Sequence, residues 1–96
     1  MLRHVPVLCQ TEDREVVLEF NEAVFQHGIS KEDILHAYKN RVCDALVEGL
    51  PEKYALVGFD RAGNALEIMY NPIDGNRINI FHAMKARNSF IKQLGL

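Results

Sequence analysis

The sequence predicts an α+β domain with two N-terminal helices, a four-stranded antiparallel meander sheet and a C-terminal helix. Apolar residues repeat with a helical period before residue 42 and at close to every second position after it. The strand-like segments then follow one another through short turns, which is typical of an antiparallel meander. A length of 96 residues, 48% of them hydrophobic, indicates one domain over residues 1–96. Residues 1–10 fall outside every predicted element, and we expect an irregular start there.

The first helix is predicted over residues 12–27. Thr11 is a suitable N-cap, and the acidic residues after it favour the positive end of a helix. Gly28 supplies a left-handed stop. One face of this helix is largely apolar and consists of Val16, Val17, Phe20, Ala23, Val24 and His27.

The second helix is predicted from Ser30 to about Asn40. Ser30 is an N-cap residue, and Asp33 stands where a capping box has its acidic or amide side chain. Because only residues 28–30 separate the two helices, we expect them to be neighbours in space.

Four strands and a last helix follow. The strands are predicted over residues 43–48 (CDALVE), 54–60 (YALVGFD), 65–71 (ALEIMYN) and 77–82 (RINIFH). The loop RAGN joins the second and third strands as a hairpin, and PIDGN forms the next turn. Residues 83–94 complete the chain as a helix.

The alternation of side chains assigns the last two strands a buried face and an open face. On the predicted buried face, which the helices would cover, lie Ile78, Ile80, His82, Leu66, Ile68 and Tyr70. The other face is expected to be solvated or to form a groove, and it carries Arg77, Asn79, Phe81, Glu67 and Met69.

Arg87 is the unusual cation of the predicted last helix. Lys85 and Lys92 fall on its solvated side, whereas Arg87 falls inside the apolar stripe. We expect Phe90 and Leu94 of this stripe to pack on the buried face of the last strand. A guanidinium in that stripe needs a partner, because an unpaired buried charge is costly. It is either an ion pair with Glu67 or an acid of the first helix, or a cation aimed at a phosphate.

Histidines are the candidates for proton transfer. His82 ends a strand before a helix N-terminus, where backbone N–H groups favour an anion, and an unperturbed imidazole has a pKa of about 6.5. The alternative is a hydrogen-bonded core histidine. His27, beside the Gly28 stop, is expected to be structural or accessory.

Composition excludes several classes of function. The net charge of −2 argues against a general nucleic-acid-binding protein, although residues 53–96 carry six basic and three acidic side chains. The histidine, cysteine and acidic residues do not have the spacing of metal ligands, and the sequence has no glycine-rich loop of the kind that binds phosphate. No apolar segment predicts a membrane span or a signal peptide. Cys9 and Cys43 are predicted to be reduced thiols in a reducing cytosol, with a disulfide as the alternative, so we expect a cytoplasmic protein. We also expect no cofactor.

Two segments resemble a known family. NEAVFQHGISKEDILHA, from Asn21 to Ala37, is similar to the segment that opens the BrnT-type toxins of bacterial toxin–antitoxin pairs, with His27 and Gly28 matching. The later run GFDRAGNALEIMYNPIDGNRINIFHAMKAR resembles that family's glycine turn, apolar strand and arginine-started strand, which Arg77 begins here.

The resemblance implies a RelE-like fold, metal-independent ribonuclease activity and a cognate antitoxin as partner. Metal-independent cleavage needs proton transfer and stabilisation of the phosphate charge, so His82 and Arg87 are the predicted catalytic residues for these two roles. Arg77 and Lys85 are the predicted RNA-binding residues, and His27 and Glu67 are accessory or structural. The alternative is a non-catalytic protein-interaction module on the same scaffold. The chain is also a candidate for forming a homo-oligomer.

Overall fold

The protein is built on one six-stranded mixed sheet with helices on both faces. The structure, a computed structural model, describes residues 2–5, 16–47 and 52–95. Its elements are β1 (Leu2–Val5), β2 (Val17–Phe20), a 3-10 helix (Glu22–His27), α1 (Lys31–Lys39), β3 (Arg41–Val47), β4 (Tyr54–Phe59), β5 (Ala65–Pro72), β6 (Arg77–Lys85) and α2 (Asn88–Gln93). The α+β class is confirmed, whereas the predicted four-stranded antiparallel sheet and its helix arrangement are wrong.

The strand order is β1-β3-β4-β5-β6-β2. The predicted meander forms the middle of the sheet, from β3 to β6, and all of its pairs are antiparallel. One further strand lies on each side: β1 pairs antiparallel with β3, and β2 pairs parallel with β6. The irregular start expected over residues 1–10 is therefore wrong for Leu2–Val5.

The predicted first helix is wrong over Val17–Phe20. Val17–Phe20 is a strand in which Leu18 and Phe20 are partly buried while Val17 and Glu19 are exposed. That alternation is the pattern of a half-buried strand, and pairing with β6 overrides the helical spacing. Thr11 and residues 12–15 lie outside the described residues.

Only the end of this segment is helical. Residues 22–27 form the short 3-10 helix, and the side chain of Asn21 caps it by accepting from the backbone N–H of Ala23 at 3.0 Å. Gly28 ends it with φ 79°, a left-handed conformation that costs glycine little. The predicted stop at Gly28 is confirmed.

The predicted second helix is confirmed as α1. Ser30 is its N-cap and accepts a hydrogen bond from the backbone N–H of Asp33 at 3.2 Å, and Asn40 is its C-cap. The helix lies so close to β4 that a Cβ atom added at Gly58 would collide with the carbonyl oxygen of Ala37. A glycine is therefore needed where the two backbones meet.

Each face of the sheet has its own core. The α1 face, covered by α1 and the 3-10 helix, buries Val24, Ile34, Ala37, Leu56, Leu66, Ile68, Ile78, Ile80 and Ala83. The α2 face buries Cys43, Ala45, Val47, Ala55, Val57, Phe90 and Leu94. Phe90 and Leu94 therefore pack on the face opposite Ile78 and Ile80, and the predicted contact between them is wrong.

The predicted last helix begins five residues too early. β6 continues to Lys85, since residues 83–85 pair with residues 66–68 of β5, and the backbone N–H of Ala86 donates to Ala65 at 2.9 Å. Helix α2 covers only Asn88–Gln93. The helical spacing around residue 84 is overridden because these backbone groups complete the ladder with β5.

A β-bulge at Phe81 decides which way His82 faces. Tyr70 pairs with Ile80 and Met69 pairs with His82, so β6 has one more residue than β5 at this point. An extra residue moves every later side chain to the opposite face. The prediction that His82 shares a face with Ile78 and Ile80 is therefore wrong: His82 is opposite Met69, on the α2 face.

Candidate functional site

Glu67 is the centre of a polar cluster on the α2 face. Its side chain is fully buried on β5. Arg87 donates three hydrogen bonds to its carboxylate: the backbone N–H at 3.1 Å and Nε at 3.0 Å bond to Oε1, and Nη2 at 2.7 Å bonds to Oε2. A buried carboxylate needs such partners, since leaving it unpaired is costly. The cluster therefore fixes the chain where β6 ends and α2 begins.

His82 is the second partner of Glu67. Its Nε2 lies 2.9 Å from Oε2 of Glu67. Burial raises the pKa of the Glu67 carboxyl, but hydrogen bonds from Arg87 and His82 outweigh burial and hold that pKa below its ordinary value. An ionised carboxylate only accepts hydrogen bonds, so Nε2 of His82 carries the proton. In the neutral imidazole the lone pair then lies on Nδ1.

His27 lies beside His82. The two imidazole centroids are 5.9 Å apart, in an edge arrangement with an interplanar angle of 71°. The topology causes this approach, because β2 ends opposite Ile80 and the backbone N–H of Asn21 donates to Ile80 at 2.9 Å. The 3-10 helix that carries His27 thus begins next to the bulge that turns His82.

The side chains of the cluster become more exposed from Glu67 through His82 to Arg87. The side chain of Glu67 is 0% exposed, that of His82 is 23% exposed and that of Arg87 is 60% exposed. Within residues 16–47 and 52–95, Nη1 of Arg87 donates no hydrogen bond and so remains available to a bound group. The arrangement offers two imidazoles for proton transfer and a guanidinium for an anion.

Arg87 does not lie in a helical apolar stripe as predicted. It precedes α2 with an extended backbone, φ −83° and ψ 149°, because β6 runs on beyond the predicted strand end. Of the two interpretations offered by the sequence, the ion pair with Glu67 is present in the structure. The role of Arg87 toward a phosphate stays a prediction.

The two predicted RNA-binding residues lie apart from this cluster. Arg77 is five residues before His82 along the sequence and forms ion pairs with Glu19 and Asp74, each at 2.8 Å. Lys85 is exposed and pairs with Leu66, a residue of the α1 face. Its side chain therefore lies on the opposite face of the sheet from His82. The structure brings together His27, Glu67, His82 and Arg87, but not Arg77 or Lys85.

The sequence offered Glu67 as one possible ion-pair partner of Arg87, but it did not predict the contact between Glu67 and His82. The alternation of β5 does place Glu67 on the face opposite Leu66 and Ile68, and a lone acid on that face is the available signal. The contacts of Glu67 depend on the bulge and on the continuation of β6 to Lys85, which delays the start of the last helix. Neither feature has a glycine or proline to mark it.

Other classes of site find no support in the described part of the chain. Residues 16–47 and 52–95 contain no group of three or more histidine, cysteine or acidic side chains that could hold a metal ion. In the same residues, no helix is long and apolar enough to cross a membrane.

The fold and the site define a small α+β domain with a mixed sheet and a histidine–glutamate–arginine cluster that reaches the surface. Comparisons with protein-family models, curated proteins and solved structures gave no match to this chain.

Proposed function

We propose that this chain is the toxin-like component of a bacterial toxin–antitoxin pair and cleaves RNA without a metal ion. The observation that carries the proposal is the placement of His82, which Glu67 holds by Nε2 at 2.9 Å beside the ring of His27. Cleavage through the 2′-hydroxyl needs a base, an acid and a cation, and this cluster offers all three.

In the proposed reaction Nδ1 of His82 removes the proton of a ribose 2′-hydroxyl. The 2′-oxygen attacks the adjacent phosphorus, and the bond from phosphorus to the 5′-oxygen breaks. His27, in its protonated form, gives a proton to the leaving oxygen. The products carry a 2′,3′-cyclic phosphate and a 5′-hydroxyl, so atoms and charge balance. Nη1 of Arg87 stabilises the extra negative charge that develops on the phosphate.

Glu67 acts as a positioning residue in this proposal. Its carboxylate orients the imidazole of His82 and stabilises the cation that forms when Nδ1 takes a proton. Arg77 and Lys85 remain the proposed contacts to the phosphate backbone outside the cluster. The proposed partner is a cognate antitoxin, as the resemblance to BrnT-type toxins implies, and the proposed location is the cytoplasm.

The second candidate function is a non-catalytic protein-interaction module. One observation favours it: Glu67 already has three hydrogen bonds from Arg87 and one from His82, which a purely structural role would also require. In that case the cluster only fastens β5, β6 and the start of α2 together, and loss of any member destabilises the fold.

Growth of a bacterial host tests the proposal. We expect induced expression of the parent to inhibit growth, and co-expression of the adjacent open reading frame to relieve it. His82→Asn retains a hydrogen-bond donor for Glu67 but has no base. Its expression should therefore not inhibit growth, while its melting temperature should be close to that of the parent. Lys92→Ala, on the exposed side of α2, should inhibit growth like the parent. A harmless parent, with early melting of His82→Asn, would support the interaction module instead.

A further inference from the structure

Phe81 has an unusual environment for an aromatic side chain. It is the extra residue of the bulge, is partly exposed and belongs to neither hydrophobic core. The ammonium of Lys53 lies 4.9 Å from the centre of its ring. An aromatic ring under a cation makes a favourable cation–π contact, but it contributes little to the core here.

Phe81 and His82 lie on the same face of the sheet. The backbone carbonyl of Lys53 accepts a hydrogen bond from the N–H of Val47 at 2.8 Å, so the two residues lie opposite each other. Val47 belongs to the core on the α2 face. Side chains directly opposite each other in antiparallel strands share a face. Since Lys53 reaches the ring of Phe81 on that face, the bulge places an aromatic ring and an imidazole next to each other on it.

Polar groups continue this surface along the strands. Asn71 and Asn79 pair across β5 and β6, and Nδ2 of Asn79 donates to Oδ1 of Asn71 at 3.1 Å. Their remaining amide donors and acceptors can bond to base edges. Within residues 16–47 and 52–95 no carboxylate forms an ion pair with Lys53. An aromatic ring with a nearby cation is the arrangement used to bind unpaired nucleotides.

We propose that Phe81 and Lys53 form a base-stacking site for single-stranded RNA, which binds the nucleotide next to the phosphate that is cleaved beside His82. The base takes the place of the Lys53 ammonium over the ring of Phe81, and Lys53 then bonds to the phosphate of that nucleotide. A base inside a duplex already stacks on its neighbours, so only an unpaired base fits. This inference rests on the proposed function, since it takes RNA as the ligand.

The absence of tryptophan from the chain makes the site directly testable. Phe81→Trp introduces a single indole, whose fluorescence a stacked base quenches. The ligand is a short single-stranded 2′-O-methyl RNA, which binds but cannot be cleaved through its 2′-oxygen. We expect quenching that saturates with this RNA and is absent with the same sequence as a duplex. Phe59→Trp is the control, because Phe59 is 41% exposed at the other end of β4.

The affinity of an alanine variant provides a second reading. Loss of one stacked base costs roughly 1–3 kcal/mol, so Phe81→Ala should weaken binding of the 2′-O-methyl RNA about 5- to 150-fold. Absence of quenching in Phe81→Trp, equal quenching in Phe59→Trp, or an unchanged affinity of Phe81→Ala would overturn the stacking site.

Cleavage of the unmodified RNA separates this inference from the proposed function. Normal cleavage by Phe81→Ala, without quenching in Phe81→Trp, overturns the stacking site and leaves the ribonuclease proposal standing. Specific quenching by a protein that does not cleave supports the stacking site and overturns the ribonuclease proposal.

Discussion

Arg87 and Glu67 form an ion pair whose members differ in exposure: the carboxylate is fully buried, and the guanidinium side chain is 60% exposed. Both oxygens of Glu67 accept from this one side chain, and Oε1 also accepts from the Arg87 backbone. The pair joins the middle of β5 to the residue before α2. The ion pair therefore stabilises the fold mainly by satisfying the buried carboxylate of Glu67.

We expect Arg87→Gln to lower the free energy of unfolding more than Arg61→Gln does. Removing Arg87 leaves the buried carboxylate of Glu67 short of its cation, which is strongly destabilising. Arg61 is paired with Asp33 at 2.8 Å, but both side chains are more exposed than Glu67, and exposed pairs contribute little. Urea unfolding of the two variants measures the difference. Equal losses would mean that water reaches Glu67 and that the cluster is looser than described.

The charge state of Asp44 should make stability depend on pH. Asp44 is on the α1 face, where the hydroxyl of Tyr70 donates to both its oxygens at 2.9 and 2.8 Å. Burial raises the pKa of the Asp44 carboxyl above its ordinary 3.8. Arg41 lies 3.5 Å away, yet its buried Nε forms no hydrogen bond among the described residues.

The sign follows from proton linkage. As pH rises through about 4, the unfolded chain loses the Asp44 proton before the folded chain does, so this group lowers stability until the folded form has also ionised. Asp44→Asn keeps an acceptor for Tyr70 but does not titrate. We therefore expect the stability of Asp44→Asn relative to the parent to increase with pH from about 3 and then level off, as measured by urea unfolding at each pH. A relative stability that stays constant or falls over this range contradicts the raised pKa.

Phe90→Ala tests the placement of α2. Phe90 is 5% exposed and packs on the second core, so its truncation should cost about 3–5 kcal/mol of unfolding free energy. Lys92→Ala on the same helix should change stability by no more than about 0.5 kcal/mol. Thermal or urea unfolding compares them. Similar effects for both residues would mean that α2 does not cover this face.

Gly58→Ala tests the close approach of α1 to β4. The added methyl group would collide with the carbonyl oxygen of Ala37, so one backbone must move, at a cost of about 1–3 kcal/mol or more. Gly75→Ala is the matched control, because a Cβ atom there has no neighbour within 4 Å among the described residues. Urea unfolding measures both variants. An unchanged free energy of unfolding in Gly58→Ala would show that α1 lies farther from the sheet.

Local sequence signals located much of the fold. The serine cap, the glycine of the hairpin, the apolar run of β4 and the alternation in β5 are local features, and the elements they predict are present. β2 was missed because VVLEF fits a helical face as well as a strand. Only its parallel pairing with β6, some sixty residues later in the chain, decides between the two.

The candidate site was predictable in its members but not in its geometry. The sequence drew attention to His27, Glu67, His82 and Arg87, and these four lie together. It gave the wrong face for His82, because a one-residue bulge reverses the alternation without changing the composition of the strand. Phe81 and Lys53 were not singled out, because their contact crosses β5 and depends on the same bulge.

The central claim is that His82 transfers a proton in cleavage through the 2′-hydroxyl, and the direct measurement is cleavage of a short single-stranded RNA in excess EDTA. We predict that the parent produces fragments with 2′,3′-cyclic phosphate ends and that the 2′-O-methyl form of the RNA stays intact. His82→Asn, melting close to the parent, should cleave about 10²- to 10⁴-fold more slowly, as expected for loss of a general base. Intact RNA with the folded parent, or an unchanged rate in His82→Asn, would contradict the account.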